Sequence, residues 1–357
     1  MTKRSLKKLL AGLIGGVLIA LAISMFTAAT ASVSFYYSVT DLGPLGAGFT
    51  KAFDINYAGQ VVGYADTSSG NSHAFLWENG VMTDLGTLGG DFSSALGINN
   101  KGQVTGYAYN HRGERRNFLW SNGIMTDLGA LGGDDITVSR LNDMGQMVGY
   151  SSTSAGTLRG FLWKNRIMTD IGSLNGELDD STRAIDINNE GQVVGKSDSQ
   201  DGPYHAFRWS EGTMTDLGTL GGNYSEAYAI NKAGDVVGWS QFTKSSTAWH
   251  GFLWSNGTMT DLGTLNGEEG EESIAVDINN AGRVIGYTRQ STNGSQYFIW
   301  YKGTMTDLNT LLPENSGWKI TGVYDINNHG QILGQGTFNG NGGSYVPILL
   351  TPVWVTN

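Results

Sequence analysis

The 357-residue chain has no cysteine, only five prolines, and 15% charged residues. Without cysteine, disulfides, thiolate nucleophiles and thiolate metal sites are excluded. With 39% apolar residues the chain can bury a core, so extensive disorder is not expected. Basic residues are in deficit: 22 Lys and Arg against 32 Asp and Glu give a net charge of −10. Such a surface repels phosphate backbones, so no nucleic acid is expected as a partner. The catalytic signatures G-x-S-x-G, the Walker phosphate loop and H-E-x-x-H are missing too. So is the sialidase-type S-x-D-x-G-x-x-W box: Ser197-Asp198-Ser199-Gln200-Asp201-Gly202 does not continue as one. No residue is therefore singled out as catalytic, and no ligand set for a metal.

What the chain has in abundance is glycine, 53 residues without a collagen period. That composition fits many tight turns between short strands. The first 31 residues stand apart. Lys3, Arg4, Lys7 and Lys8 precede an uncharged, mostly apolar run from Leu9 to Phe26, and Ala29-Thr30-Ala31 is an A-x-A cleavage site. Residues 1–31 therefore read as a signal peptide cut after Ala31, with an uncleaved anchor as the alternative. Cleavage leaves 18 basic against 32 acidic residues, a net charge of −14, and no stable membrane insertion. The protein is expected to be exported to the extracellular space, cell surface or periplasm.

Residues 32–357 read as a single repeat domain. Ile-Asn recurs at Ile55, Ile98, Ile187, Ile230, Ile278 and Ile326, with Leu141-Asn142 as a variant, at intervals of 43, 43, 46, 43, 48 and 48 residues. That period belongs to four-stranded propeller blades. Each copy reads as strands a to d. Turns such as Asn99-Asn100-Lys101-Gly102 join a to b, and Glu78-Asn79-Gly80 or Ser121-Asn122-Gly123 join c to d. Asn165-Arg166 breaks the Asn-Gly rule in the third copy, so a different turn is expected there. Strand c is apolar on both faces, as in Phe75-Leu76-Trp77 and Phe118-Leu119-Trp120, so both faces are buried. The d-strand motif Thr-Asp-Leu-Gly first appears at Thr40 to Gly43, before any other strand, while the last copy ends after strand c. Tyr36 to Leu42 should therefore complete the last blade. The expected fold is all-β: a seven-bladed β-propeller of four-stranded blades, its ring closed by the N-terminal strand. An open β-solenoid is the competing architecture.

These residues resemble the HAF-type extracellular repeat family. His-Ala-Phe stands at His73 to Phe75 and at His205 to Phe207, and the first copy carries Ile-Asn-x-x-Gly-Gln-Val-Val-Gly nearly intact. The resemblance spans about Tyr36 to Pro352 and implies a bacterial secreted or cell-surface protein, without implying a mechanism.

Residues repeated in every copy are expected to serve the blade. Asp84, Asp127, Asp170, Asp216, Asp261 and Asp307 should hydrogen-bond backbone or turns, and His73, His205 and His250, one per blade, are too far apart to share a metal. The b–c and d–a connections are long and differ between copies, and they emerge on one face, so binding is expected there. Two sets of residues on that face are candidates. Asp134, Asp135, Glu177, Asp179, Asp180, Glu268, Glu269, Glu271 and Glu272 form a solvated acidic rim or, alternatively, a Ca²⁺ site. Tyr109, Tyr204, Phe242, Trp249 and Phe338 either stack on a ligand or cover the blade tops. The expected partner is a protein or an oligosaccharide, with no cofactor and bound calcium as the alternative; the oligomeric state is left open. The alternative function is a glycan-acting hydrolase or lyase using loop carboxylates.

Overall fold

Short apolar runs broken by Asn and Gly become strands. The computed structural model describes residues 33–46, 48–128, 136–153, 155–200, 202–244, 248–268, 270–290, 294–339 and 345–356. Among these, the regular structure is β apart from a 3₁₀ turn at Leu308–Leu311. No helix of the described residues is long and apolar enough to cross a membrane. Residues Tyr36–Val353 form one compact unit. Among the described residues, 33–35 and 354–356 belong to a second unit, within which the rings of Phe35 and Trp354 lie 4.9 Å apart.

The strands form five four-stranded sheets and one of eight strands. The third copy shows the pattern: a (Ile136–Leu141), b (Met147–Ser152), c (Leu158–Lys164) and d (Ile167–Asp170) pair in sequence, all antiparallel. The eight-stranded sheet holds the first two such sets, linked by a single parallel bridge between Ser72 and Phe92. In the last sheet the N-terminal strand Val33–Asp41 takes the d position beside Val346–Thr356. There Tyr37, buried, donates its hydroxyl to the Gly330 carbonyl at 3.3 Å, and Ser38 donates to the Thr351 carbonyl at 3.2 Å.

Between neighbouring sheets lies a core repeated from copy to copy. Phe75, Phe118, Phe207, Phe252 and Phe298, all from strand c, are fully buried, each against the Val and Ala of its neighbours. Every strand a carries a bulge, leaving Phe53, Leu96, Ser139, Ile185, Tyr228, Val276 and Tyr324 out of register. The bulge presses strand a onto strand b. A Cβ at Gly63 would collide with the Lys51 carbonyl, and the glycines at the same place in the other copies are equally tight, which explains the recurring Val-Val-Gly.

The c–d turn of the third copy is as tight as the rest. Asn165 and Arg166 take φ of 53° and 65°, so Arg166 occupies the left-handed position that glycine fills elsewhere. Strand pairing on both sides imposes that conformation against the residue's preference.

Candidate binding face

Strands a to d alternate in direction, so the a–b and c–d turns lie at one end of each sheet and the b–c and d–a connections at the other. The turn end is occupied by its own hydrogen bonds. Asn56 donates its side-chain amide to the Asn99 carbonyl at 3.1 Å, and Asn99 to that of Asn142 at 3.0 Å. The series continues through Asn188, Asn231, Asn279 and Asn327, and Asn327 donates to the Asn56 carbonyl at 3.0 Å. The circuit therefore returns to its start. Each amide oxygen also accepts backbone N–H groups of its own turn, such as Met144 and Gln146 on Asn142. These asparagines line one shallow cavity shared by all the Ile-Asn copies.

Beneath that cavity the residue before Ile-Asn varies between copies: Asp54, Gly97, Arg140, Asp186, Ala229, Asp277 and Asp325. The aspartates bond the next copy's backbone. Asp54 accepts from Ile98 N–H at 2.7 Å, Asp186 from Ile230 at 2.9 Å, Asp277 from Ile326 at 2.7 Å and Asp325 from Ile55 at 3.3 Å. Arg140 serves them all. It donates to the Leu96 carbonyl at 2.9 Å and stands 3.8 Å from both Asp54 and Asp325. Burial works against the Arg140 charge, but the four surrounding carboxylates outweigh it and hold the guanidinium protonated. One cation among four carboxylates leaves an excess of negative charge. Burial pushes Asp186 up to about 6, and burial together with neighbouring carboxylates raises Asp325 well above the usual range.

The loop end is different. A cavity of about 370 Å³ opens there, lined by Phe53, Arg140, Tyr150 and Tyr324 among others. Around it, the residue after Val-Val-Gly and its equivalents is Tyr64, Tyr107, Tyr150, Lys196, Trp239, Tyr287 or Gln335, half-buried in every copy. Five of these are aromatic and they pack on their neighbours. Tyr64 lies 6.0 Å from Phe53, and Trp239 donates its indole N–H to the Tyr228 hydroxyl at 3.0 Å. Cations cover several faces: Arg115 over Tyr107 at 4.2 Å, Arg183 over Tyr150 at 5.2 Å, Lys196 over Tyr204 at 4.4 Å. Sequence reasoning missed this collar, although a signal existed in the aromatic that follows Gly in most copies.

Some of the aromatic residues singled out in the sequence join it. Tyr204 contacts Trp239 at 6.3 Å and Trp249 contacts it at 5.8 Å. Tyr109 meets Phe92 edge-on at 6.1 Å, and the exposed Phe242 stacks on His250 at 4.8 Å. Phe338 packs apart from these, against Trp318 at 5.1 Å. Tyr109, Trp249 and Phe338 lie at strand ends beside the b–c connections.

The acidic residues are not brought together. Asp134, Asp135 and Glu269 lie outside the described residues. Asp180 organises its own loop, accepting from the Ser173 hydroxyl at 3.0 Å and the Glu177 N–H at 3.3 Å, while Glu177 and Asp179 are exposed. Glu268 is exposed, but Glu271 is only 2% exposed and accepts from Asn266 N–H and Nδ2 at 3.3 and 3.1 Å. That corrects the expectation of a solvated rim at Glu271: its carboxylate folds inward because the loop turns back on itself and supplies the donors. Glu272 opens the next strand and burial raises its carboxyl above the usual range. Among the described residues no three carboxylates or histidines are grouped to hold a metal ion. Asp84, Asp216 and Asp261 each accept from a histidine, His73, His205 and His250, at 2.8 to 2.9 Å, and from the Gly two residues on. Arg116 and Arg159 replace the histidine against Asp127 and Asp170.

This architecture is shared with proteins of known structure. The fold is similar to the β-propeller domain of the trilobed protease from Pyrococcus furiosus, described as having an open velcro topology. Identity is 10% and the TM-score 0.56, over 85% of this chain and 94% of that one. An acylaminoacyl peptidase solved with a chloromethyl ketone matches at 11% identity and a TM-score of 0.53, over 90% of this chain and 52% of that one. The Pyrococcus horikoshii acylaminoacyl peptidase matches at 12% and 0.51, over 85% and 49%. The chain thus spans about half the length of those peptidases. The likeness shows a β-propeller fold and nothing of their activity. A protein family of unknown function, DUF3466, matches residues 222–344. No curated protein matches the sequence significantly.

Proposed function

We propose that this chain is an exported, non-enzymatic, seven-bladed β-propeller of HAF-type repeats that binds a protein or glycan through its loop end. Closure of the ring by the N-terminal strand is supported by the pairing of Val33–Asp41 with Val346–Thr356 and by the asparagine circuit that returns from Asn327 to Asn56. Export is supported by the basic residues, apolar run and A-x-A site before Val33. One observation carries the choice of face. The loop end carries a collar of half-buried aromatic residues about its cavity, whereas the cavities of the turn end are lined mainly by polar and charged side chains, many of them spent on internal bonds.

The test is a thermal-shift screen of the purified protein against oligosaccharides, calcium and a chelator. A ligand at about 100 times its dissociation constant stabilises by about 2.7 kcal/mol, which such a screen detects. Binding is expected to be lost in Phe242→Ala and Trp249→Ala and retained in the turn-end variants Tyr57→Ala and Met144→Ala. The opposite pattern would place binding on the other face. A calcium shift reversed by chelator would turn the acidic loops into a metal site.

A further inference from the structure

A second cavity, about 560 Å³, lies at the loop end where the first and last copies meet. Its walls include Phe49 and Tyr345, which are 50% and 57% exposed. Asp41 and Gln335 stand beside them. Asp41 uses one oxygen to accept from the Gly43 N–H at 2.9 Å, which leaves the other for a ligand. Among the described residues the Gln335 side-chain amide has no hydrogen-bonding partner, though its equivalents in five other copies are aromatic residues that pack. Phe49 is held in place: its N–H donates to Asp66 at 2.9 Å, and its ring lies 5.9 Å from that of Tyr64. From there the rings continue, Tyr64 to Phe92 at 5.7 Å and Phe92 to Tyr109 at 6.1 Å. The result is a strip of aromatic side chains that begins in a cavity and runs across the first two copies.

We propose that the cavity framed by Phe49, Tyr345, Asp41 and Gln335, with the strip Phe49–Tyr64–Phe92–Tyr109 leading from it, binds a neutral linear oligosaccharide. A pyranose ring has an apolar C–H face, which suits an exposed aromatic ring, and an edge of adjacent hydroxyls. A planar carboxylate and a planar amide take such hydroxyl pairs, as Asp41 and Gln335 are placed to do. The cavity has small-ligand size, within the range of about 300–1,000 Å³ that such sites occupy. The tilted pairs leave Phe49 and Tyr109 exposed at the two ends of the strip. Asp41 is the cavity's one charged lining residue and the whole chain carries −10, so an acidic sugar is disfavoured. This inference rests on the loop-end reading and narrows its ligand to a glycan.

The test is isothermal titration calorimetry on the full chain, kept in a detergent without a sugar headgroup. The probes are cellohexaose, xylohexaose, laminarihexaose, maltohexaose and chitohexaose, with an oligogalacturonate as the acidic comparison. At least one neutral hexasaccharide is expected to bind saturably and more tightly than the oligogalacturonate. Tyr345→Ala and Phe49→Ala should each weaken it about three- to tenfold, the range expected for loss of one aromatic contact. If Phe49→Ala also lowers the thermal midpoint, Tyr345→Ala and Gln335→Ala decide. Binding of none of the neutral probes, or unchanged affinity in those variants, overturns the proposal. Should no sugar bind while Trp249→Ala abolishes binding of a protein, the loop-end reading stands and this one falls. Sugar binding lost only in Tyr57→Ala or Met144→Ala removes both.

Discussion

At the residue scale, the most consequential cluster is Arg140 with its four aspartates. Asp186 holds its proton up to about pH 6 in the fold, because burial outweighs the help of Arg140 and of the Ile230 N–H. Unfolded, the same carboxyl loses its proton near pH 4. Between those values the folded state binds more protons, so stability falls as pH rises. His250, raised by its bond to Asp261, adds to the decline at higher pH, since its protonated form is favoured by folding. The thermal midpoint should thus be higher at pH 5 than at pH 8. Asp186→Asn keeps an acceptor for Ile230 but removes the titration, so it should reduce the stability difference between pH 5 and pH 8 by about 1 kcal/mol. An unchanged slope in denaturation curves across that pH range would sink the account. The asparagine circuit is tested the same way. Asn142 donates to the Asn188 carbonyl and the Gln146 amide and accepts two N–H groups, all buried or partly buried. Asn142→Ala should cost about 2–4 kcal/mol in chemical denaturation, because several partners are left unsatisfied together.

At the element scale, the c–d hairpins are alike in backbone and unequal in cost. Asn-Gly fills the two left-handed positions at Asn79-Gly80, Asn122-Gly123 and Asn256-Gly257, while the third copy uses Asn165-Arg166. Arg166 points to strain that glycine would remove. Arg166→Gly should stabilise by about 1 kcal/mol, read as a higher denaturant midpoint with an unchanged slope. A lower midpoint would mean that the arginine side chain contributes more than its backbone conformation costs. Strand a shows how an element serves the site. Its bulge places two consecutive residues, such as Tyr324 and Asp325, where both line cavities, one at each end of the strand. A regular strand would send them to opposite faces.

For the whole molecule, the N-terminal strand is the test of the proposed ring. It supplies the outer strand of the last sheet and buries Tyr37. Without it, Val346–Thr356 becomes an open edge with unpaired backbone groups. A chain lacking Val33–Asp41 should lose the single cooperative transition expected of the intact protein, and should self-associate in size-exclusion chromatography. An unaltered transition would show that the remaining sheets hold together without that strand.

Much of this architecture is legible in the residues because it is local. Period-two apolar runs and Asn-Gly turns act within a few residues and the Ile-Asn interval repeats them, so strand order, turn positions and the role of the first Thr-Asp-Leu-Gly segment are legible in the sequence. The candidate site was less legible. Tyr204 and Trp249 are recognisable individually in the sequence, but their meeting through Trp239 depends on how adjacent sheets pack. Glu271 reads as solvent-facing and is buried, because a loop's direction follows from contacts that no local pattern encodes. The four aspartates and Arg140 are separated by up to about 270 residues of sequence and meet only because every bulged first strand lines the same cavity wall. Local backbone chemistry thus determined the elements of this protein, whereas burial and long-range packing alone decided which side chains share a space and what charge they hold there.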